Sequence, residues 1–136
     1  MDLSKAFDCI PHDLLIAKLH AYGFQKNALN YIYGYLKGRR QGVKLNGIYS
    51  NFLYILAGVP QGSILGPILF NIFSNDFYYL LPEASLHGYA DDHTISAIST
   101  TLQNLKYILC NETNTAIDWL QNNSMLAISS HCFLKI

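Results

Sequence analysis

Charge is scarce in this chain, and neither sign is in excess. Its 136 residues include nine Lys and Arg and nine Asp and Glu, so the formal net charge is zero and charged residues make up only 13%. This balance removes any bulk electrostatic case for a nucleic-acid partner, although a local basic patch is compatible with it. Hydrophobic residues make up 51%, which is enough to bury one core. We therefore expect a single globular domain.

Cysteine is also rare. The three cysteines, Cys9, Cys110 and Cys132, lie far apart and form no Cys-x-x-Cys pair. This spacing argues against both a zinc site and a disulfide framework. It favours a reduced intracellular setting, in the nucleus or the cytoplasm. The first residues contain no sustained apolar segment of the kind that a secretory signal requires.

One long stretch, from Leu45 to Asn75, contains no charged residue. Its segment from Phe52 to Phe73 is long enough to cross a bilayer. Several Gly and Pro residues interrupt the middle of that segment, and a helix broken there would leave costly unpaired backbone groups in lipid. A small membrane protein therefore stays an alternative only, and we expect no membrane partner.

The spacing of apolar residues predicts an α+β chain. Helices are predicted from Pro11 to Gly23, from about Gln25 to Leu36, from Ser63 to about Tyr79, and from Thr101 to Asn122, the last with an apolar side that starts at Leu102. Strands are predicted at Arg40–Leu45 and Ile48–Leu56, joined by an Asn46-Gly47 turn. No repeat or linker divides the chain. The simplest architecture is an antiparallel sheet with helices packed on one face.

Two adjacent acids, Asp91 and Asp92, follow Tyr89 and Ala90. Neighbouring side chains in a continuing strand point to opposite faces, so both acids can serve one site only if the backbone turns there. Like charges this close also resist joint ionisation unless a cation offsets them. The alternative is a solvated turn. Apolar residues on both sides instead predict two half-buried strands that hold the acids rigidly; they are Leu86, Ile95, Ala97 and Ile98.

Three stretches carry a family resemblance through their order along the chain. They read Asp2-Leu3-Ser4-Lys5-Ala6-Phe7-Asp8, then Gly58-Val59-Pro60-Gln61-Gly62-Ser63-Ile64-Leu65-Gly66-Pro67, then Tyr89-Ala90-Asp91-Asp92. They closely resemble motifs A, B and C of reverse transcriptases, most of all those of non-LTR (LINE-type) retrotransposons. The segment from Trp119 to Met125 resembles the approach to motif D. The resemblance implies an RNA-directed DNA polymerase with a palm-type antiparallel sheet, and residues 1–136 as one partial domain.

The resemblance also implies a metal site. Nucleotidyl transfer uses two Mg²⁺ ions, for which Mn²⁺ can substitute, and such ions prefer carboxylates, phosphate oxygens and water. Asp2 and Asp91 match the main metal ligands of the family. The carbonyl of Leu3 completes part of the shell, and Asp92 matches the weaker acid or one that acts from outside the shell. The implied partners are an RNA or DNA template with its primer and deoxynucleoside triphosphates.

Three more residues match the nucleotide-binding part of the family. Phe7 matches the aromatic steric gate that rejects a ribose 2′-hydroxyl, and its alternative is a core aromatic. Gln61 and Gly62 match the loop against the nascent base pair and template backbone, where a missing side chain permits close approach.

Other polar residues have plain structural explanations. Lys37, Arg39 and Arg40 form the basic cluster of the chain and are candidates for phosphate contact, but Lys is also common at helix ends. His87 and His93 flank the acid pair, yet the resemblance assigns them no role, and we expect structural ones. The acids Asp8 and Asp13 are expected to cap helices.

The chain departs from the family pattern at both ends. Motif A normally follows an apolar strand, whereas only Met1 precedes Asp2. No stretch resembles the fingers or the thumb, and the residues from Leu126 to Cys132 replace the usual Asn and Lys, as in a frameshifted or misjoined end. We therefore expect a palm portion that does not polymerise at a useful rate alone. The alternative is a catalytically dead remnant that binds nucleic acid or protein.

Overall fold

A four-stranded antiparallel sheet and five α-helices make up most of the fold. The computed structural model describes residues 2–3 and 5–129, with side chains except those of Asp2 and residues 127–129. The elements in chain order are β1 (Asp2–Leu3), α1 (Ala6–Cys9), α2 (His12–Ala21), α3 (Lys26–Leu36), β2 (Arg40–Gln41), β3 (Lys44–Leu45), β4 (Ile48–Tyr49), β5 (Leu53–Tyr54), α4 (Leu65–Ser74), a 3₁₀ helix (Asn75–Tyr79), β6 (Ser85–Tyr89), β7 (Asp92–Ser96), α5 (Leu102–Asn122) and β8 (Ala127–Ser129). The α+β class is confirmed.

The main sheet brings distant parts of the chain together, because its strand order is β6-β7-β1-β8. Strand β1 pairs with β7 on one side and with β8 on the other, both antiparallel. The short first strand is therefore an inner strand of the sheet. The end of the chain beyond residue 129, for which the sequence predicts a departure from the family, lies outside the described residues.

The four predicted helices are present, with shifted ends. Pro11 precedes α2 instead of opening it, since its backbone is extended (ψ 125°) and forms an isolated β-bridge with Ala57. The third predicted helix stays α-helical only to Ser74, whose hydroxyl donates to the Phe70 carbonyl at 3.0 Å and so competes with the helical ladder. Thr101 caps α5 by accepting from the Asn104 amide.

The predicted long hairpin forms, but as two short two-stranded sheets. Arg40 lies opposite Tyr54 in the β2–β5 sheet, and Lys44 lies opposite Tyr49 in the β3–β4 sheet. The turn is at Asn46-Gly47, as predicted, and both residues have positive φ (49° and 82°). More residues separate β4 from β5 than separate β2 from β3, so the ladder is interrupted there, as at a bulge.

The core contains a cluster of aromatic rings contributed by α4, the 3₁₀ helix and α5, among mostly aliphatic side chains. Phe77 stacks on Trp119 with ring centroids 4.6 Å apart, and Phe73 meets Trp119 edge-on at 6.3 Å. Two predictions about apolar residues are wrong. Leu102 is exposed, because the buried residues of α5 begin only at Ile108. Ile98 is 97% exposed, because β7 ends at Ser96.

The side chain of Lys18 packs against this core. Its ammonium lies over the rings of Phe73 and Trp119, at 4.3 and 4.7 Å. It donates to the Phe73 carbonyl and to both carboxylate oxygens of Asp76, at 2.8 to 2.9 Å. Burial lowers the pKa of Lys18, and the hydrogen bond and charge of Asp76 oppose that shift.

Within residues 2–3 and 5–129, no helix has both the length and the apolar content needed to cross a membrane. The stretch from Phe52 to Phe73 contains β5, a Gly- and Pro-containing loop and most of the ten-residue helix α4. Nothing in the described chain favours the membrane alternative.

Candidate active site

The adjacent acids lie at a tight turn, as the sequence predicts. Tyr89 pairs with Asp92 at the end of the β6–β7 hairpin, so Ala90 and Asp91 form a two-residue connection. Ala90 has φ 54°, a left-handed conformation that costs a non-glycine residue about 1–2 kcal/mol. The turn changes the direction of the chain between Asp91 and the start of β7. Asp91 is half-buried and Asp92 is exposed.

The first strand lies beside this turn. Asp2 is the direct antiparallel partner of Asp92, and the Leu3 amide donates to the Asp91 carbonyl at 3.3 Å. The Leu3 side chain is buried in the core, which holds the strand in place. Two acids that are far apart in sequence are thus neighbours in the backbone of the sheet. The side chain of Asp2 lies outside the described part.

The two described carboxylates of the turn suit a divalent cation by their chemistry. Neither Asp91 nor Asp92 forms an ion pair with a described Lys, Arg or His, and neither side chain accepts a hydrogen bond within the described structure. Like charges at neighbouring positions repel unless a cation offsets them. Among the described side chains no three His, Cys, Asp or Glu residues group as a metal site.

His93 supports the turn from inside the fold. Its ring is fully buried and meets the Phe77 ring edge-on, with centroids 5.5 Å apart. Its Nδ1 lies 3.4 Å from the Asp91 carbonyl, which can only accept, and its Nε2 lies 3.3 Å from the Tyr78 hydroxyl. Burial lowers the pKa of His93 and favours the neutral ring. These contacts agree with the predicted structural role.

A second contact fixes the strand before the turn. A Cβ on Gly88 would overlap the Tyr78 hydroxyl and lie 3.0 Å from Cδ2 of His93, so a side chain at this position of β6 would displace Tyr78. His87, which was also expected to be structural, lies on the outside of the hairpin with Nε2 3.1 Å from the Ser96 hydroxyl. The hairpin is therefore held on both sides by residues other than the acids.

The Gly- and Gln-containing loop packs on the segment that follows β1. The Val59 amide donates to the Phe7 carbonyl and the Gly58 amide donates to the Ile10 carbonyl, both at 2.8 Å. Gly58 has φ 85°, and a Cβ there would lie 2.6 Å from the Cα of Asp8. This close approach of two backbones joins the first and second motif segments.

Asp8 has a role that sequence reasoning missed. It was expected to cap a helix, but α1 has no side-chain cap; instead the Asp8 carboxylate accepts a 2.9 Å hydrogen bond from the Gln61 side chain. The sequence contains an acid (Asp8) in the first motif stretch and an amide (Gln61) in the second. It does not show that the close packing of Gly58 on the Asp8 backbone brings them together. Asp13 lies in the first turn of α2 as Asp8 does in that of α1, and α2 has no side-chain cap either.

Phe7 is half-buried and stacks on Phe70, with ring centroids 4.5 Å apart. One face of the Phe7 ring therefore packs on α4. Gln61 and Gly62 are exposed in the loop, and nothing lies within 4 Å of a Cβ built on Gly62, whose φ is 76°. The space that the sequence predicts beside Gly62 is open. Ser63 completes the loop by accepting from the Gly66 amide at 3.0 Å.

The basic cluster lies where α3 leads into β2. Lys37 and Arg40 are exposed and Arg39 is half-buried. Within the described residues, Nη1 of Arg39 is shielded from solvent and has no hydrogen-bond partner.

Comparison with known proteins agrees with this arrangement. The family described as "Reverse transcriptase (RNA-dependent DNA polymerase)" matches residues 1–129. The chain is 37% identical over 99 residues to the probable RNA-directed DNA polymerase from transposon BS of Drosophila melanogaster, covering 68% of the chain and 11% of that protein. It is 35% identical over 104 residues to the probable RNA-directed DNA polymerase from transposon X-element of the same species, covering 68% of the chain and 10% of that protein. The RNA-directed DNA polymerase from mobile element jockey of Drosophila funebris is 32% identical over 113 residues, 75% of the chain and 12% of that protein. The chain thus spans about a tenth of the length of these relatives.

Proposed function

The chain belongs to the reverse transcriptase family, in the group formed by the polymerases of non-LTR retrotransposons, and on this premise we propose that residues 1–129 are the palm of an RNA-directed DNA polymerase. The proposed reaction adds deoxynucleotides to the 3′ end of a primer on an RNA or DNA template. The proposed location is the nucleus or the cytoplasm. The observation that carries the proposal is the pairing of Asp2 with Asp92, which places the first motif beside the third.

In the proposed site, Asp2 and Asp91 are the main metal ligands, the Leu3 carbonyl completes part of the shell, and Asp92 is the weaker acid, which acts from outside that shell. Two Mg²⁺ ions, or Mn²⁺ in their place, supply activation of the primer hydroxyl and neutralisation of the triphosphate when they are bound there. The chain itself orients these groups: the Leu3 amide and the buried His93 ring both hold the Asp91 carbonyl. A fixed backbone at the acids is what such a reaction requires, because small misplacements of reacting groups are costly.

The nucleotide is proposed to lie between the turn and the Gly58–Ser63 loop. Phe7 would meet the sugar with the ring face that Phe70 leaves uncovered. Gln61 would meet the nascent base pair, with its side chain oriented by the Asp8 carboxylate at 2.9 Å. Gly62 would let the template backbone approach closely, since nothing lies within 4 Å of a Cβ built there.

The test uses a chimera in which residues 1–129 replace the matching segment of the jockey polymerase. We expect primer extension on an RNA template in the presence of Mg²⁺ and deoxynucleotides. The same chimera with Asp91→Ala is the matched control and should be inactive. A folded chimera that gives no extension, in parallel with an active jockey parent, would contradict the proposal and leave a remnant that only binds its partners.

A further inference from the structure

The chain has zero net charge, but one long segment carries only positive charges. No Asp or Glu occurs between Asp13 and Asp76, whereas six of the nine Lys and Arg residues lie in that interval. Lys18 is paired with Asp76. Four of the others lie within eight residues, and none of them forms an ion pair with a described carboxylate; they are Lys37, Arg39, Arg40 and Lys44.

Three of these four cations lie over an aromatic ring. The guanidinium carbon of Arg40 lies 5.3 Å from the centroid of Tyr54, its direct partner across the β2–β5 pair. Lys44 Nζ lies 4.9 Å from the ring of Tyr49, its partner across the β3–β4 pair. Lys37 Nζ lies 5.0 Å from the Tyr33 ring, one turn earlier on α3.

The aromatic rings of the hairpin are exposed. Tyr49, Phe52 and Tyr54 are 58%, 57% and 63% exposed. Phe52 packs against Gly42, where a Cβ would lie 3.2 Å from the ring, and its centroid is 6.4 Å from that of Tyr49 in a stacked arrangement. We call residues 39–55 the aromatic ribbon. Its rings are held in place by neighbouring cations and by each other, yet their other faces are open to solvent.

The base of the aromatic ribbon lies near Gly58, at the start of the Gly58–Ser63 loop. Tyr33, Lys37 and Tyr54 line one depression of about 480 Å³ together with His12. His12 Nε2 lies 2.8 Å from the carbonyl of Gly58, the residue that joins the loop to the first motif. The depression therefore connects the base of the ribbon with the Gly58 end of that loop.

We propose that the aromatic ribbon binds single-stranded nucleic acid. Exposed aromatic faces can stack on bases, cations beside them can contact the phosphates, and this pairing is how proteins hold single strands without reading their sequence. No acid lies within this stretch of sequence, so repulsion of a polyanion is reduced to that of Asp13, which lines the depression at the base of the ribbon. A duplex hides its base faces, so the rings favour a single strand. The proposal rests on the proposed function only where it identifies that strand as the template.

The test measures binding of labelled oligo(dT) and oligo(U), and of a duplex of equal length, to the whole chain by fluorescence anisotropy in EDTA. We expect both single strands to bind more tightly than the duplex. We expect Tyr54→Ala to weaken single-strand binding by about tenfold, and Arg40→Gln with Lys44→Gln to lower the slope of log affinity against log salt by about 1.4. Tyr107→Ala and Lys106→Gln, which change an exposed aromatic and an exposed cation on α5, are the matched controls and should bind normally.

Equal affinity for single strand and duplex, with no loss in the Tyr54 variant, would overturn the proposal. So would self-association that Tyr49→Ala abolishes in a chain that binds no oligonucleotide, since this result would make the ribbon a protein interface. Circular dichroism checks that each variant is folded. Asp91→Asn separates this proposal from the preceding one, because it should leave binding in EDTA unchanged while it abolishes extension by the chimera.

Discussion

Asp2 lies directly opposite Asp92 in the antiparallel pairing of β1 with β7. If these residues and Asp91 form one metal site, Asp91→Asn should abolish Mn²⁺ binding by the chain, and Asp92→Asn should weaken it by about tenfold, as expected for an outer partner. Electron paramagnetic resonance of free Mn²⁺ measures both. Asp118→Asn, on the exposed side of α5, is the control. Equal, unaltered Mn²⁺ binding by all three variants would place the metal elsewhere.

Gly58 and Gly62 form a matched pair for testing how the loop is held. Both have positive φ, but a Cβ on Gly58 would meet the Asp8 backbone whereas a Cβ on Gly62 would meet open space. Gly62→Ala should lower the free energy of unfolding by about 1–2 kcal/mol. Gly58→Ala should add the cost of overpacking, for a total of about 2–5 kcal/mol. Urea unfolding measures the difference, and equal losses would mean that the loop moves away freely.

The Phe7 ring is tested by separating selectivity from stability. In the chimera, Phe7→Ala should raise the ratio of ribonucleotide to deoxynucleotide incorporation, because it removes the group that would meet the 2′-hydroxyl. The Phe7→Ala variant should also have a lower free energy of unfolding. A fully buried Phe→Ala change costs about 3–5 kcal/mol, and we expect about half of that loss because the Phe7 ring is half-buried. Phe70→Leu removes the other ring of the same stack. It should lower the free energy of unfolding and leave the selectivity unchanged. Unchanged selectivity in the Phe7 variant would make Phe7 a core aromatic.

The lowered pKa of Lys18 predicts a dependence of stability on alkaline pH. At pH values between the folded-state pKa of Lys18 and 10.5, a larger fraction of Lys18 is protonated in the unfolded chain than in the folded chain. The free energy of unfolding should therefore gain a Lys18 contribution as the pH rises through this window. Lys18→Met removes that contribution, so the difference in urea midpoint between wild type and variant should change with pH. Lys106→Met, on an exposed residue of α5, should show no such change.

The sequence predicts most elements because each has a local cause. The Asn46-Gly47 turn needs positive φ, and the acid pair needs a change of chain direction; both are present. The local sequence pattern does not predict burial correctly where burial depends on residues distant in the sequence. Leu102 fits the apolar stripe of α5 yet is exposed, while Glu112 breaks the stripe and is buried, with Oε2 lacking a partner within the described structure.

The candidate site was predictable residue by residue only through resemblance. The sequence contains the acids but not the reason that Asp2 is near Asp92, since the pairing of strands 90 residues apart leaves no local signal. The close contact between the backbones of Asp8 and Gly58 is not predicted for the same reason. Their contact depends on two backbones meeting, and a glycine in a loop has many simpler explanations.

The inner position of β1 also sets the order in which the protein can be completed during its synthesis. Both neighbours of β1 come late in the chain, and β8 begins at Ala127. At about 5–20 residues per second, a ribosome needs roughly 6–25 s after Asp2 to make that last strand. Throughout this time β1 has an open edge, while the helix pair α2 and α3 can already pack locally. A chaperone that protects the nascent chain would therefore be expected to cover the β1 segment until β8 has been made.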